Sequence, residues 1–313
     1  MTDEDAADWT LPKTPMVDVR ALRRARRRGI ARTAAVGALY ILVGLIALNF
    51  AGAGLQAALH RQSQMARVVQ TGWQVAHPEF DARESGVATS GWSTSLSLTV
   101  APINAVSAPG STVIRFHENL FGSLNTGFGP AQTPATQVLL TFGQPGGPTP
   151  TTKADEKAFL LGLPKPTVSS AIVEFSSPLT EADYQSFLRR HDSDGALILG
   201  RALFSRATPM GAGFIRGVCG WSLFLNPPAR GAADLVGSFR HWVNSLHGSD
   251  RGKLEQVGID LDGLRAAARA GLIYGVIVSH ENATSLLSML NDQAVAAVHV
   301  VDVGFAVEGA DNG

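Results

Sequence analysis

From Thr33 to Leu59 the chain carries no charged side chain, and arginines stand directly ahead of that stretch at positions 20, 23, 24, 26, 27, 28 and 32. Coiled as a helix, Ala34–Leu55 would be about 33 Å long at about 1.5 Å per residue. That crosses a hydrocarbon core of roughly 30 Å, and helical hydrogen bonds satisfy the peptide groups where no water reaches them. Positive flanks stay on the cytoplasmic side, so the arginines place the N-terminus inside and everything after Leu59 outside. A removable signal peptide shares the basic front and apolar middle, and Ala51-Gly52-Ala53 supplies small residues of the cleavage type. Paired arginines also fit the twin-arginine export route. Yet the apolar run is longer than the usual stretch of about 7–15 residues, and the polar front is long for a signal. A retained anchor is expected.

This layout divides the chain into a basic cytoplasmic tail (1–32), a transmembrane helix (33–59), a membrane-proximal region with strands and a linker (60–152) and an extracytoplasmic α/β sensor-like domain (153–313). The 313 residues balance 26 Lys and Arg against 26 Asp and Glu, but residues 1–59 hold eight basic and five acidic side chains. The remainder is net −3, with 18 basic against 21 acidic. Such an outer part has no electrostatic reason to bind nucleic acid or an anionic lipid surface. Cys219 is the single cysteine, so no internal disulfide and no zinc-type cysteine pair exists. It lies in the apolar run GFIRGVCGWSLFL and reads as a small buried hydrophobe.

Residues 1–14 are acidic and then Pro-punctuated, with Trp9 and Leu11 as the large apolar side chains. From Met16 to Arg32, Val19, Leu22 and Ile30 recur loosely at helical spacing among the arginines. This is either a positive extension of the membrane helix lying on anionic lipid or a short docking helix for a cytoplasmic protein. Beyond the anchor, 60–74 continues as a juxtamembrane helix. Ser90–Val100 places Trp92, Thr94, Leu96, Leu98 and Val100 on one parity, a strand signal, and Ser111–Phe116 is a second short strand. Pro130–Lys153, rich in Pro, Gly, Thr and Gln, is the linker candidate.

After Lys153 strands and helices alternate, which predicts an α+β fold for the outer part. The expected order is a helix stopped before Pro164, a strand at Val168–Phe175 and a helix capped by Thr180 and running through Arg190. Strands follow at Ala196–Phe204 and Phe214–Leu225. Next come a helix at Ala232–Leu246 with Leu235, Phe239, Trp242, Val243 and Leu246 inward, and another at Leu261–Ala270 ended by Gly271. A buried strand at Leu272–Ser279, a helix at Glu281–Leu290 and a closing strand at Ala297–Val303 complete it.

Chemical signatures are sparse. The serines form no Gly-x-Ser-x-Gly elbow, and the chain has no His-Glu-x-x-His and no phosphate-cradling glycine loop. His280-Glu281 follows a strand and opens a helix, where the helix-start role outweighs catalysis. Asn282-Ala283-Thr284 matches a glycosylation acceptor but is read as a cap. Arg115, His117 and Glu118 cluster beside FGSLNTGFGP, and a salt-bridged turn or solvated face is favoured there over a ligand site. Phe116, Phe121 and Phe128 beside those glycines form either a binding lip or a core edge. His191-Asp192-Ser193-Asp194 runs along the chain as a helix-ending loop rather than a metal site. Asp302, embedded in the apolar HVVDVGF, is expected to pair with Arg216 or Arg201 across a sheet. No catalytic, cofactor-binding or metal residue is assigned.

The layout and several segments resemble the bacterial membrane-anchored sigma factor regulators, a type of anti-sigma factor. LLGLPKPTVSSAIVEFSSPLTEADYQSFL (Leu160–Leu188) is similar to that family's strand, proline and helix. LRAAARAGLIYGVIVS (Leu264–Ser279) with TSLLSML (Thr284–Leu290) is similar to its helix, strand and leucine-bearing helix, and Val298–Val303 to its closing strand. The basic helix, the single anchor and Trp73–Phe80 match its N-terminal region more loosely. The resemblance implies a non-enzymatic regulator without cofactor, whose cytoplasmic tail holds a sigma factor, or a second cytoplasmic regulator, while the outer domain senses an extracytoplasmic ligand or protein. Trp9, Leu11, Val19, Leu22, Arg23, Arg24, Arg26 and Arg27 are the partner-binding candidates. The inside segment lacks the His/Cys zinc module of other anti-sigma proteins, and its length suits one amphipathic helix in a groove. A membrane-tethered binding protein with no transcriptional role is the alternative.

Overall fold

The computed structural model describes residues 19–58, 60–103, 110–119, 121–127, 129, 132–143, 152–191, 200–206, 218–222 and 234–305. The chain divides into two compact units, Met1–Gly52 and Ala53–Gly313. Helix α1 covers Val19–Ala58 in 40 residues without interruption. Its stretch Leu22–Leu55 is long and apolar enough to cross a membrane, and the most apolar part of it is wholly unburied.

The second unit is α+β and opens on a helical run. Helix α2 (Arg61–Met65) starts after His60, whose backbone is left-handed at φ 49°. A π-helical segment, Ala66–Gln70, and α3 (Thr71–Ala76) follow directly. In the π turn the Thr71 N–H donates to the Ala66 carbonyl, five residues back. The Arg67 carbonyl accepts the indole N–H of Trp242 instead, at 3.3 Å. The helix expected over 60–74 is present as this run, and its Met65, Val68, Val69, Trp73 and Val75 are deep in the core. Its apolar spacing serves a protein interior.

Strands β1 (Phe80–Thr89), β2 (Ser93–Pro102), β3 (Thr112–Asn119) and β4 (Leu124–Thr126) form an antiparallel meander. Thr94, Leu96, Leu98 and Val100 share its buried face, as their parity predicts, while Trp92 falls in the turn before β2 and is exposed. Neither β1 nor β4 was anticipated. β1 buries little beyond Phe80 and Ala82 and breaks register between Glu84 and Gly86, which erases the period of two.

Helix α4 (Pro134–Thr141) lies inside the expected linker and corrects that expectation. Thr133 and Thr136 cap it reciprocally and Pro134 occupies its first turn, the arrangement that suits orphan N–H groups. The physical reason is the second sheet, ordered β7-β6-β8-β5-β9 and antiparallel throughout. It comprises β5 (Thr167–Leu179), β6 (Arg201–Leu203), β7 (Gly220–Trp221), β8 (Ile273–Asn282) and β9 (Val295–Phe305). Both faces of its middle are apolar. Ala171, Val173, Val276 and Val278 join the main core, whereas Ile172, Leu203 and Ile277 point the other way and are covered by Ala135, Leu139 and Phe142. A strand that reads as a continuous apolar run needs cover on both sides.

The remaining helices are α5 (Lys153–Gly162), α6 (Glu181–His191), α7 (Leu235–Asn244), α8 (Arg251–Gln256), α9 (Leu261–Ala270) and α10 (Ala283–Asn291). Leu235, Phe239, Trp242, Val243 and Leu246 are all buried, as their spacing predicts. Phe239 stacks on Phe204 at 4.4 Å, and Trp221 on Trp242 at 5.3 Å. Gly271 ends α9 in the left-handed region at φ 60°. One core of buried side chains runs from Met65 to Val298, across the expected 152/153 boundary. The strand expected at 196–204 shortens to β6, with 196–199 outside the described residues, and that at 214–225 to β7, with 214–217 and 223–225 outside.

Gly275 sits where β8 meets β5, and a Cβ there would strike the Val173 carbonyl and lie 2.7 Å from Phe142 Cζ. Gly275→Ala should therefore cost about 1–3 kcal/mol through overpacking, read as a fall of several degrees in the thermal midpoint by circular dichroism. An unchanged midpoint contradicts this close approach.

Candidate functional site

The helical run delivers Trp73 and His77 to a cleft of about 330 Å³. Their rings pack at 4.6 Å between centroids, one helical turn apart. Opposite them stand Ile114 and Phe116 of β3 and Thr126 of β4, with Val257 and Gly258 after α8 closing a third side. Gly72 explains how α8 comes so near: a Cβ there would lie 3.1 Å from Leu254 Cδ2 and 3.4 Å from Val257 Cγ2. His77 Nδ1 is 4.0 Å from Glu79 Oε1, and the buried Glu79 accepts a hydrogen bond from the Thr136 hydroxyl at 2.9 Å. The α4 segment therefore fixes the Glu79 carboxylate that stands beside the histidine. A concave apolar wall with a few polar groups is the usual form of a ligand site. His77, Thr126, Glu255 and Gln256 are the polar side chains on its lining.

The sequence placed Trp73 in the helix over 60–74 and set Trp73–Phe80 in the family resemblance, but did not show the cleft. The available signal was the Trp73/His77 spacing of four followed by Pro78, which marks a helix end bearing two rings. Val257 and Gly258 come from distant sequence and left no signal.

Strand alternation splits the Arg115, His117 and Glu118 cluster. Arg115 and His117 face outward, while Glu118 points into the core and meets Lys253 of α8 at 3.0 Å, both side chains being buried. Among the described residues Glu118 Oε2 accepts no hydrogen bond. Phe116 is core and Phe121 is fully outward, so these two form neither a shared lip nor a shared core edge; Phe128 lies outside the described residues.

Asp302 does not pair with Arg201, because β8 and β5 lie between β6 and β9. Arg201 instead donates to the Phe80 and Pro78 carbonyls at 2.6 and 3.3 Å and lies 3.6 Å from Asp81. Burial pulls its guanidinium down to about 10, against Asp81 and Glu79, which favour the charge. It links the two sheets. Arg216 lies outside the described residues.

His280 and Glu281 belong to the end of β8, with His280 left-handed at φ 62°, and the helix begins later, where the Asn282 side chain caps α10 by accepting from the Ser285 N–H at 2.8 Å. Cys219 packs against the main core, and burial pushes its thiol up to about 11, leaving little thiolate at neutral pH. His191 is not a loop residue but the end of α6, and its Nε2 lies 2.9 Å from Asp292 Oδ2; 192–194 are outside the described residues. Among the described residues no group of three metal-ligating side chains gathers.

Of the partner-binding candidates, Trp9 and Leu11 lie outside the described residues and Val19 opens α1. Leu22, Arg23, Arg24, Arg26 and Arg27 are exposed on successive turns of that helix. The chain matches no protein-family model, no curated protein and no solved structure.

Two predictions test the electrostatics. Lys253→Met leaves a buried carboxylate without its cation and should cost about 3–5 kcal/mol, while Glu118→Leu combined with Lys253→Met should regain most of that in denaturant titrations. Burial of Asp292 opposes its ionisation, but hydrogen bonds from His191, the Ala294 N–H and Arg190 outweigh it and hold its carboxyl at about 2. A depressed folded value gives stability that is complete above the unfolded value of about 3.9 and lost as pH falls toward 2. Asp292→Asn should therefore be less stable than the parent at neutral pH, with the gap in urea midpoints closing below about pH 4.

Proposed function

We propose that the chain is a single-pass membrane regulator: α1 crosses the cell membrane, residues 1–32 lie in the cytoplasm, and the residues after Leu59 lie outside and bind a ligand at the Trp73–His77 cleft. The helix that leads from the arginines through the apolar stretch is the observation that carries this reading. α1 runs unbroken from the arginines through the apolar stretch, and the next helical run ends in the two rings of the cleft. A π turn within that run is a common companion of functional sites. A ligand that binds two arrangements of the run unequally would bias whatever α1 presents inside the cell. The tail's partner in this reading is a sigma factor, or a second cytoplasmic regulator, held on the basic helix as a helix in a groove. This follows the likeness of Leu160–Leu188, Leu264–Ser279 and Thr284–Leu290 to the anti-sigma type of regulator. The reading is non-enzymatic, as the resemblance to the anti-sigma type implies.

One observation favours a second reading, a tethered outer binding protein with no transcriptional role. At about 100° per residue, the arginines from 20 to 32 cover roughly two thirds of the helix circumference. That suits a collar among lipid headgroups better than a narrow docking face.

Replacing Arg23, Arg24, Arg26, Arg27 and Arg28 by Ala separates the two. The regulator reading expects a defined set of transcripts to change while the protein remains inserted, and Thr126→Trp, which fills the cleft, to disturb the same set. An unaltered transcriptome with correct insertion leaves the tether.

A further inference from the structure

Two turns meet at one end of the first sheet. Ser93 of β2 pairs with Asn119 of β3, so the turn leading into Ser93 and the turn leaving Asn119 lie side by side. Each carries an aromatic side chain in solvent, Trp92 at 52% exposure and Phe121 at 94%. Both turns are fastened. The Ser90 hydroxyl accepts from the Trp92 and Ser93 N–H groups at 3.3 and 3.1 Å. The Asn119 side-chain oxygen accepts from the Phe121 and Ser123 N–H groups at 2.9 and 3.0 Å.

The same end of the sheet holds the start of α2. Arg61 donates to the Asn119 carbonyl at 2.8 Å, and Gln62 to the Thr89 hydroxyl at 2.5 Å. Leu55 ends the apolar stretch. At no more than about 3.6 Å per residue, the chain from Leu55 to Arg61 spans about 20 Å at full extension. On the anchored reading of α1, the chain can therefore carry this end no farther than about 20 Å from the end of the apolar stretch. Segments 90–93 and 119–123 carry no charge, and the adjoining Glu118 is buried against Lys253. Aromatic rings with an apolar body settle at the membrane–water interface.

We infer that Trp92 and Phe121 form an interfacial foothold, inserted among the lipid headgroups of the outer leaflet and holding the folded unit against the bilayer beside its own anchor. The foothold rests on the anchored reading of α1. Apolar burial drives it rather than charge, in keeping with the net negative charge beyond residue 59.

Nitroxide labels on the full chain test this in vesicles of phosphatidylcholine and phosphatidylglycerol. Single cysteines are introduced as Leu42→Cys, Val113→Cys and Phe121→Cys in a Cys219→Ser background, and accessibility to oxygen and to a water-soluble nickel chelate is measured. Val113 is exposed at the opposite end of β3. The expected result is a deep label at 42, an aqueous label at 113, and an oxygen-to-nickel ratio at 121 several-fold above that at 113. A label at 121 as aqueous as that at 113, with 42 still deep, overturns the foothold and leaves the anchor standing. Equal lipid exposure at 113 and 121 overturns it too, as does dipolar broadening at 121, which would assign the patch to a second copy. An aqueous label at 42 removes the anchor and the foothold together.

Discussion

Thr71, Gly72, Trp73, Gln74, Val75 and Ala76 are all buried, a state open to a helix only when protein surrounds it. The run from Arg61 to Ala76 is the piece on which the unit assembles. Gln74 donates to the Ala82 carbonyl of β1 at 2.5 Å, Trp242 of α7 donates to Arg67, and α8 presses on Gly72. Without that run the first sheet would have no partner for Leu96, Leu98 and Phe116, and two sheets without a common filling would not share a core. Arg201 is the second tie, drawn between β6 and the start of β1 by carbonyls that desolvation makes necessary.

Legibility in the sequence followed local signal. Helices with a full apolar face and a cap, such as α7 and α9, were readable because period and punctuation agreed. Strands β5, β8 and β9 were readable as apolar runs. β1 was not, since only Phe80 and Ala82 mark its inner face before the register breaks. α4 was hidden by composition: prolines, glycines and threonines around it describe a loop, while the demand for a helix comes from the far face of the second sheet. The cleft was least legible, because Trp73, Phe116 and Val257 meet only after the sheets and α8 have closed. Of the two partners expected for Asp302, strand order excludes Arg201, since β8 and β5 stand between β6 and β9, while Arg216 lies outside the described residues.

The long α1 and the folded unit make one account together. α1 has the apolar length of a bilayer span, and the cleft lies at the end of the helical run Arg61–Ala76. In the proposed reading a ligand site outside and a basic tail inside are joined through this single anchor. Within the folded unit the Cys219 thiol is half-buried and Glu118 and Lys253 form an internal pair.

The claim beneath all of this is that α1 stays in the membrane with its arginines inside. Protease added to intact spheroplasts, followed by mass measurement of what remains in the membrane fraction, tests it most directly. The account predicts loss of the residues beyond about Leu59 and retention of a fragment that begins at the N-terminus and includes α1. A mature protein beginning near Gly54, or a carboxyl half that survives the protease until the membrane is opened, contradicts it.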